Sequence, residues 1–264
     1  MESDLQLAQR AVLTGAAVAL PHFAALAELP TELKADGSVV TAADRAVETA
    51  IRDVLAAGRP HDAVLGEEHG ETSGPDASRR WIVDPIDGTA LFVAGDERWL
   101  ILLALEEDGE IVLGVAAHPA QGSIWWATRG GGAFEGRVIG GRVVAGTSIR
   151  VGPAGSDEVA GSRFSAVPAD WAPELVRPVE ALTPKLPWDV HPALMVARGD
   201  LDIALQTGGQ IWDFAPTSLI VTEAGGSYSR LDGTPRPGPG ASIYARGDAI
   251  RRRALETIGA LHPL

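Results

Sequence analysis

The sequence predicts an α+β fold, with an α+β first half that is followed by an α/β second half. A long amphipathic segment over residues 4–29, closed by Pro30, predicts the first helix. Apolar runs separated by short turns predict a series of antiparallel strands from residue 99 onwards. Strand and helix patterns alternate in the later part of the chain, which is typical of α/β structure.

The Gly-rich segment over residues 129–146 is interpreted as a joint between two halves of the chain. On this interpretation residues 1–135 form an N-terminal α+β half that carries most of the acidic motifs described below. Residues 136–264 form a C-terminal α/β half that completes the site and ends in a predicted helix over residues 247–259.

The chain is strongly acidic, because 35 Asp and Glu residues against 22 Lys and Arg give a net charge of -13. This charge argues against non-specific binding to nucleic acid or to anionic membranes. The absence of cysteine excludes disulfides, thiolate nucleophiles and Cys-ligated zinc. Because acidic residues precede the N-terminal apolar run and no apolar segment is long enough to span a bilayer, we expect a cytoplasmic protein without a membrane partner.

Acidic residues recur where predicted strands or loops end, at Glu67, Glu68, Asp84, Asp87 and Asp213. Ionised carboxylates are costly at the edge of an apolar core unless they are paired or bound to a metal. Carboxylates that converge need cations, and hard oxygen ligands favour Mg²⁺ over softer metals. Each acid taken alone also fits a turn residue or a helix cap, and Asp213 in particular fits the N-cap of the helix that follows it.

The motif "DPIDGT" at residues 84–89 adds a second feature to these acids. Gly88 and Thr89 are expected to open a helix, whose free backbone N–H groups and macrodipole favour a bound anion. Metals on Asp84 and Asp87 beside a phosphate on these amides would form a phosphoryl-transfer site. The three-residue spacing of the acids excludes the D-x-D motif of phosphatases with an aspartyl nucleophile, and the sequence contains no nucleotide-binding Gly-rich loop motif.

Four segments occur in a characteristic order: "DGSVVTAADRAVE", "GEEHG", "WIVDPIDGT" and "WDFAPTSLIVTEAGG". With these segments the chain resembles the inositol-monophosphatase family of Mg²⁺-dependent, Li⁺-sensitive phosphomonoesterases over nearly its whole length. The resemblance implies an α+β fold built as a layered α-β-α-β-α sandwich, and a small-molecule phosphate monoester as the substrate. It also implies a homodimer, because family members are commonly dimers.

The resemblance further implies two or three Mg²⁺ ions. The first would bind Glu67, Asp84 and the Ile86 carbonyl oxygen. The second would bind Asp84, Asp87 and Asp213, and Glu67 would help to hold a third ion through waters.

The catalytic residues that the resemblance implies are Glu67 together with Thr89, which would hold the attacking water and be oriented by Asp44. The expected substrate contacts are Asp87, Gly88, Thr89, Asp189, Gln206 and Asp213. Lys34 matches a Lys on the mobile active-site loop of family members, and Glu68 lies in the loop that follows Glu67.

Within the family, the sequence is most similar to the histidinol-phosphate phosphatases of actinobacterial type. In those enzymes an Asp ten residues before a small Gly contacts the cationic substrate, and Asp189 stands ten residues before Gly199. Gln206 occupies the place where inositol-type members carry a Glu that binds sugar hydroxyls. A carboxylate favours an amine or imidazolium, so histidinol phosphate is the expected substrate. Asp189 as a loop acid bonded to backbone is the structural alternative.

The chain departs from that branch directly after the Gly-Thr pair, where Ala90, Leu91 and Ala94 replace a Lys, an Asn and an Arg. Inositol phosphate or another cyclitol, sugar or amino-alcohol phosphate, including one of secondary metabolism, is therefore an alternative substrate. Two non-enzymatic alternatives are a catalytically silent protein that binds phosphate esters and a regulatory partner that assembles through Trp-rich strands. The presence of every implied ligand position argues against the silent protein.

Overall fold

The structure is a computed structural model that describes residues 2–26, 31–33, 39–72, 76–153, 155–168 and 170–259. It divides into two compact units, Met1–Trp126 with Glu135–Thr147 and Ala127–Phe134 with Ser148–Leu264. The mixed sheets and helices confirm the predicted α+β class. The predicted boundary between residues 135 and 136 stays a prediction. Among the described residues, every helix is too short or too polar to cross a bilayer.

The helices and strands are as follows. The helices are α1 (Asp4–Ala24), α2 (Ala42–Gly58), α3 (Thr89–Val93), α4 (Pro173–Glu180), α5 (Pro192–Ala197), α6 (Ile211–Glu223) and α7 (Asp248–Thr257). The strands are β1 (Thr31–Leu33), β2 (Val39–Thr41), β3 (Asp62–Gly66), β4 (Gly70–Thr72), β5 (Asp76–Asp87), β6 (Leu100–Glu107), β7 (Glu110–His118), β8 (Ser123–Thr128), β9 (Gly132–Ile139), β10 (Arg142–Ile149), β11 (Phe164–Val167), β12 (Ile203–Gln206), β13 (Ser227–Arg230) and β14 (Ser242–Ala245).

An eight-stranded sheet has the strand order β10-β9-β8-β7-β6-β5-β3-β4. Strands β3 and β5 run parallel, whereas β5 pairs antiparallel with β6, and β6 with β7. Alternate residues such as Trp81, Val83 and Leu103 are fully buried and form one apolar cluster with residues of α1 and α2. The parallel pairing brings the carboxyl ends of β3 and β5 together at one edge of the sheet.

Helix α1 begins with a capping box in which the Gln6 N–H donates to Ser3 Oγ and the Ser3 N–H donates to Gln6 Oε1. It ends at Ala24, where the Ala25 N–H donates to the His22 carbonyl in a tighter turn. The helix is therefore shorter at this end than the sequence predicts, and the predicted end is wrong.

The Gly-rich segment interpreted as a joint instead forms β9 and β10, which are neighbours in the eight-stranded sheet. Two of its glycines are required by a close approach. A Cβ at Gly136 or Gly146 would lie 2.9 Å or 2.6 Å from the indole ring of Trp126. These glycines let an aromatic ring lie against the backbone of the two strands. The segment therefore forms paired strands, and its interpretation as a joint between two halves stays a prediction.

The second unit contains a four-stranded sheet with the order β11-β12-β14-β13, in which only β11 and β12 run parallel among the described pairings. Alternate residues of β12 face opposite sides of the sheet. Ile203 and Leu205 share an apolar cluster with residues of α4 and α7. Gln206 points to the other side, where α5 and α6 pack.

Buried polar side chains link the sheet of the second unit to α5 and α6. His191 is the N-cap residue of α5, and its Nδ1 accepts the Ala193 N–H at 3.2 Å. Gln206 bonds the same imidazole, and its Oε1 accepts the Tyr244 hydroxyl at 3.3 Å. The Tyr244 hydroxyl lies 2.8 Å from Thr217 Oγ1. Burial lowers the pKa of His191 from 6.5 to about 4, against a smaller opposing effect of Gln206.

This lowered pKa predicts a loss of stability in acid. An unfolded His titrates near pH 6.5, so between about pH 6.5 and about pH 4 the unfolded chain binds more protons than the folded chain. The contribution of neutral His191 to the free energy of unfolding is therefore complete above about pH 6.5 and is lost as the pH falls towards 4.

The variant His191→Asn keeps a side-chain acceptor for the cap but does not titrate. The difference in unfolding free energy between the wild type and this variant should shrink by about 2 kcal/mol from about pH 7 to about pH 4.5. Urea unfolding of both proteins at each pH measures it. A difference that stays constant with pH would contradict the buried, neutral state of His191.

Candidate functional site

A β-bulge at the end of β5 brings Asp84 and Asp87 together. Asp84 pairs with Leu102 and Asp87 with Leu100, so three steps along β5 face two steps along β6. In a regular strand, side chains three residues apart point to opposite faces of the sheet. The extra residue of the bulge removes this offset, and a carboxylate oxygen of Asp84 lies within 4.8 Å of one of Asp87.

Glu67 lies directly after β3, beside the end of β5. The register pairs Gly66 with Val83, and the Glu67 N–H donates to the Val83 carbonyl at 3.2 Å. Its backbone is therefore next to the Asp84 motif. Among the described acids, however, the Glu67 carboxylate is not one of those that lie within 4.8 Å of both Asp84 and Asp87.

A hydrogen bond joins Thr89 to Asp44, the residue that is expected to orient it. Thr89 Oγ1 lies 3.0 Å from Asp44 Oδ1 and 3.0 Å from the Ile86 carbonyl oxygen. A hydroxyl has one proton, so it donates to one of these acceptors at a time. The other oxygen of Asp44 accepts the N–H and the hydroxyl of Thr41 at 2.8 Å and 2.7 Å, which fixes the buried carboxylate at the start of α2.

The predicted helix after "DPIDGT" is present but is a single turn, α3. Gly88 is its N-cap and has φ 84° and ψ 42°, a left-handed conformation that favours glycine. The N–H groups of Leu91 and Phe92 donate to the Gly88 carbonyl. Phe92 is fully buried with its ring centroid 4.9 Å from that of Trp99, so the turn is anchored in the core.

Two of the positions that depart from the histidinol-phosphatase pattern, Ala90 and Ala94, are exposed, and Leu91 is half-buried. The nearby Arg98 does not simply replace the basic side chains that are missing at these positions, because it is bound to an acid. Its guanidinium is bound to Asp96 through Nε at 2.9 Å and Nη2 at 2.5 Å.

In the second unit, Asp213 is the third residue of α6 and not its N-cap. Its Oδ2 accepts the Gln210 N–H at 2.6 Å and completes a capping box. Gly209 packs against this carboxyl group, since a Cβ there would lie 3.1 Å from Asp213 Cγ. The structural alternative of an N-cap is therefore wrong in position, although the side chain does cap the helix.

Asp189 and Gln206, the expected substrate contacts of the second unit, both have partners within the protein. Asp189 accepts two hydrogen bonds from Arg198 Nη2, at 2.9 Å and 3.0 Å, and Arg198 also pairs with Asp200. Burial tends to raise the pKa of Asp189, but the Arg198 hydrogen bond and charge outweigh it and hold the pKa below its usual value. Gln206 is buried and bonded to Tyr244. Lys34 lies outside the described residues.

The profile of the inositol monophosphatase family matches residues 1–261 of this chain. A histidinol-phosphatase of Mycobacterium tuberculosis is 40% identical over 233 residues, which cover 86% of each chain. A Streptomyces griseus protein named glucose-1-phosphate thymidylyltransferase is 38% identical over 257 residues, which cover 92% of each chain. The solved structure of the SuhB protein of Bartonella henselae has a TM-score of 0.81 at 26% identity, covering 96% of this chain and 97% of that one.

The chain belongs to the inositol monophosphatase family. Members of this family hydrolyse phosphate monoesters and depend on Mg²⁺, so the chain is a phosphoric monoester hydrolase. The donor set of the first unit fits such an ion. The carboxylates of Asp84 and Asp87, with the Ile86 carbonyl between them, are hard oxygen donors of the kind that Mg²⁺ prefers.

The sequence analysis did not indicate two residues that bind expected site segments of this inositol monophosphatase family member. Glu48 follows Asp44 by one helical turn and accepts the Glu68 N–H at 2.7 Å. Arg198 is the partner of Asp189. The i, i+4 spacing of two acids in α2 is a signal that could have indicated Glu48. The local sequence around Arg198 contains no comparable signal.

Replacement of Asp44 tests the contact with Thr89. The Asp44 carboxylate accepts three hydrogen bonds, two from Thr41 on Oδ2 and one from the Thr89 hydroxyl on Oδ1. In Asp44→Asn the remaining oxygen keeps the two Thr41 donors, so the amide NH2 group faces Thr89, whose hydroxyl loses its proton acceptor. We expect kcat to fall by about 10²-fold or more, with a cost of about 1 kcal/mol in stability from the weakened cap.

The matched control is Thr41→Val, which removes the cap hydroxyl but leaves the contact between Asp44 and Thr89. It should lose a similar amount of stability and keep kcat within about threefold of the wild type. Equal kcat losses in the two variants would show that the contact matters only for the stability of α2.

Proposed function

We propose that this enzyme hydrolyses a small, cationic phosphate monoester, and that histidinol phosphate is its substrate. One observation supports a metal-dependent site. The bulge of β5 brings the carboxylates of Asp84 and Asp87 together beside the Thr89–Asp44 hydrogen bond. Two ionised acids at this separation repel one another, and a divalent cation between them turns the repulsion into binding energy.

The proposed metal ligands follow the family resemblance. Glu67, Asp84 and the Ile86 carbonyl would hold a first Mg²⁺, and Asp84 with Asp87 would hold a second. The resemblance assigns Asp213 to the second ion as well, and Glu67 to a third ion through waters. Asp213 lies in the first turn of α6, where its Oδ2 accepts the Gln210 N–H.

When bound, the Mg²⁺ ions would acidify the attacking water and stabilise negative charge on the phosphate oxygens. Thr89 would hold the attacking water: its hydroxyl oxygen accepts a hydrogen bond from the water, and its own hydrogen is donated in a hydrogen bond to Asp44 Oδ1. A metal ion on the Ile86 carbonyl would compete with Thr89 for that oxygen and would favour the hydrogen bond to Asp44. The backbone amides of Gly88 and Thr89 hold the phosphate, because the Leu91 and Phe92 amides are used within the turn.

The choice of histidinol phosphate rests on Asp189 and on the histidinol-phosphatases among the relatives. Asp189, Arg198 and Asp200 form a group with a net charge of −1, so the group still attracts an amine or imidazolium. A neutral cyclitol or sugar phosphate is the second candidate. The absence of basic side chains at Ala90 and Ala94, and the pairing of Asp189 within the protein, favour it.

We do not extend nucleotidyl transfer, named for the Streptomyces griseus relative, to this chain, because the sequence has no nucleotide-binding loop motif. As the family resemblance implies, we further propose that the enzyme is inhibited by Li⁺, works in the cytoplasm and forms a homodimer. The resemblance also implies that Lys34, which lies outside the described residues, helps to close the site.

Asp84→Asn tests the metal site. The variant should lose kcat by about 10³-fold, because it removes a charged ligand shared by both ions. Without metal its melting temperature should be equal to or above that of the wild type, since the repulsion with Asp87 is gone. Mg²⁺ should raise the melting temperature of the wild type but not of the variant.

Asp108→Asn is the control for this variant, because Asp108 is exposed in a hairpin turn with φ 51°, a conformation that Asn also tolerates. It should behave as the wild type in each measurement. Near-wild-type turnover of Asp84→Asn would exclude the metal mechanism. Failure of Mg²⁺ to support hydrolysis of any ester by the wild type would instead favour a silent phosphate-ester-binding protein.

A comparison of kcat/KM for histidinol phosphate, inositol 1-phosphate and glucose 1-phosphate tests the substrate. Histidinol phosphate should be the best of the three. Asp189→Asn should lower its kcat/KM by about fivefold, because an exposed charge contributes about 1 kcal/mol, and should leave the two neutral esters within about twofold.

Asp108→Asn, the exposed turn variant used above, is the control, because it removes one acidic charge that does not belong to the Asp189–Arg198–Asp200 group. It should leave the preference for histidinol phosphate unchanged. An equal loss for all three esters in Asp189→Asn, or a preference of the wild type for a neutral ester, would overturn the assignment of Asp189 and support the second candidate.

A further inference from the structure

The carboxylate of Glu48, fully buried in α2, binds the backbone of a turn. Its Oε2 accepts the Glu68 N–H at 2.7 Å, and its Oε1 accepts the His69 N–H at 3.2 Å. Both amides belong to the three-residue turn between β3 and β4, whose first residue is Glu67. A buried carboxylate that accepts hydrogen bonds from consecutive amides holds that backbone strongly, because leaving either group unpaired is costly.

Arg52 completes a clamp around this turn. Its Nε donates to Glu48 Oε1 at 2.7 Å, one helical turn further along α2. The same guanidinium donates to the carbonyl oxygens of Val64 and Gly70, which lie on the two strands that flank the turn. The charge of Glu48 is therefore compensated, and the pair connects α2 to the turn and to both of its strands.

The close approach of the clamp to β3 requires a glycine. A Cβ at Gly66 would lie 2.0 Å from Glu48 Oε1 and 2.8 Å from Arg52 Nη2. No side chain at position 66 fits beside Glu48 and Arg52. The clamp, and not an unusual backbone angle, therefore explains why the "GEEHG" motif has a glycine at Gly66.

Helix α2 presents two acids on the same face, because Asp44 and Glu48 are separated by one turn. Asp44 bonds to Thr89 at the end of β5, and Glu48 bonds to the turn that begins with Glu67. One rigid helix thus sets the positions of the two chain segments that meet at this edge of the eight-stranded sheet.

We propose that Glu48 is a positioning residue for metal binding, which acts by holding the Glu67 turn in register with Asp84. The proposal rests on the proposed role of Glu67 as a metal ligand. The Glu67 N–H donates to the Val83 carbonyl, and the N–H groups of the next two residues, Glu68 and His69, donate to Glu48. These hydrogen bonds hold the turn in place. Without Glu48 the turn can move, and the reach of the Glu67 carboxylate towards the metal is no longer set by the backbone.

Glu48→Gln tests the proposal, since the amide keeps one acceptor oxygen and loses the charge and the second acceptor. The Mg²⁺ concentration for half-maximal activity should rise about tenfold to 100-fold, as for other residues that orient a ligand, with kcat at saturating Mg²⁺ within about threefold. Calorimetric titration with Mg²⁺ alone should show the same loss of affinity. In a Glu67→Gln background, Glu48→Gln should cause no further loss, because its effect passes through Glu67.

Glu106→Gln is the matched control, because Glu106 forms its ion pair with Arg80 of β5, whereas Glu48 binds the backbone of the turn. It should leave Mg²⁺ affinity unchanged. Arg52→Lys is a milder second variant, which keeps the charge beside Glu48 but loses the contacts to the turn's flanking strands. It should weaken Mg²⁺ binding less than Glu48→Gln and in the same direction, and it serves if Glu48→Gln does not fold.

A lower melting temperature with Mg²⁺ affinity within about twofold of the wild type in Glu48→Gln, or in Arg52→Lys if that alone folds, would overturn the positioning role. An equal further loss in the Glu67→Gln background would also overturn it. The failure of the proposed function is a different result: wild-type protein that binds Mg²⁺ in the calorimeter but hydrolyses no ester contradicts that function and still leaves the metal titrations to decide the role of Glu48.

Discussion

Electrostatic repulsion between Asp84 and Asp87 is the constraint on which the rest of the site depends. Two unit charges separated by 4.8 Å or less repel by about 3 kcal/mol or more at an effective dielectric constant near 20. The fold bears this cost because the bulge of β5 and the buried strands around it fix the backbone. A divalent cation bound in the proposed site would relieve this repulsion and would let an acidic protein attract a phosphate ester.

Helix α2 makes this arrangement rigid. Its first turn is closed by a capping box in which Asp44 is bound to Thr41, and the same carboxylate reaches Thr89. One turn later Glu48 and Arg52 bind the turn that starts at Glu67. Val47, Ile51 and Leu55 of α2 pack into the apolar cluster beneath the sheet, next to these two buried acids along the helix. Movement of the acids would therefore also disturb the core.

The buried polar side chains of the second unit stabilise the fold of that unit. His191, Gln206, Tyr244 and Thr217 bond to one another inside the unit, so their hydrogen-bonding capacity is used for the fold. Asp189 is more exposed and shares Arg198 with Asp200. The buried groups of this unit are thus held by hydrogen bonds to one another, whereas the Asp189 carboxylate is held by an ion pair at the surface.

The sequence by itself determined the fold class, the family and the identity of the acids at the strand ends. It did so because strand periodicity, an Asp-Gly-Thr helix start and the order of four motifs are local properties. It did not indicate the strand pairing of the later Gly-rich segment, because the small residues there make room for the Trp126 ring on the preceding strand, and this contact depends on how the strands pair. Only the tertiary structure decided that Asp84 and Asp87 share a face and that Arg198 pairs with Asp189, because a bulge register and a contact across a loop depend on packing between segments that no local pattern specifies.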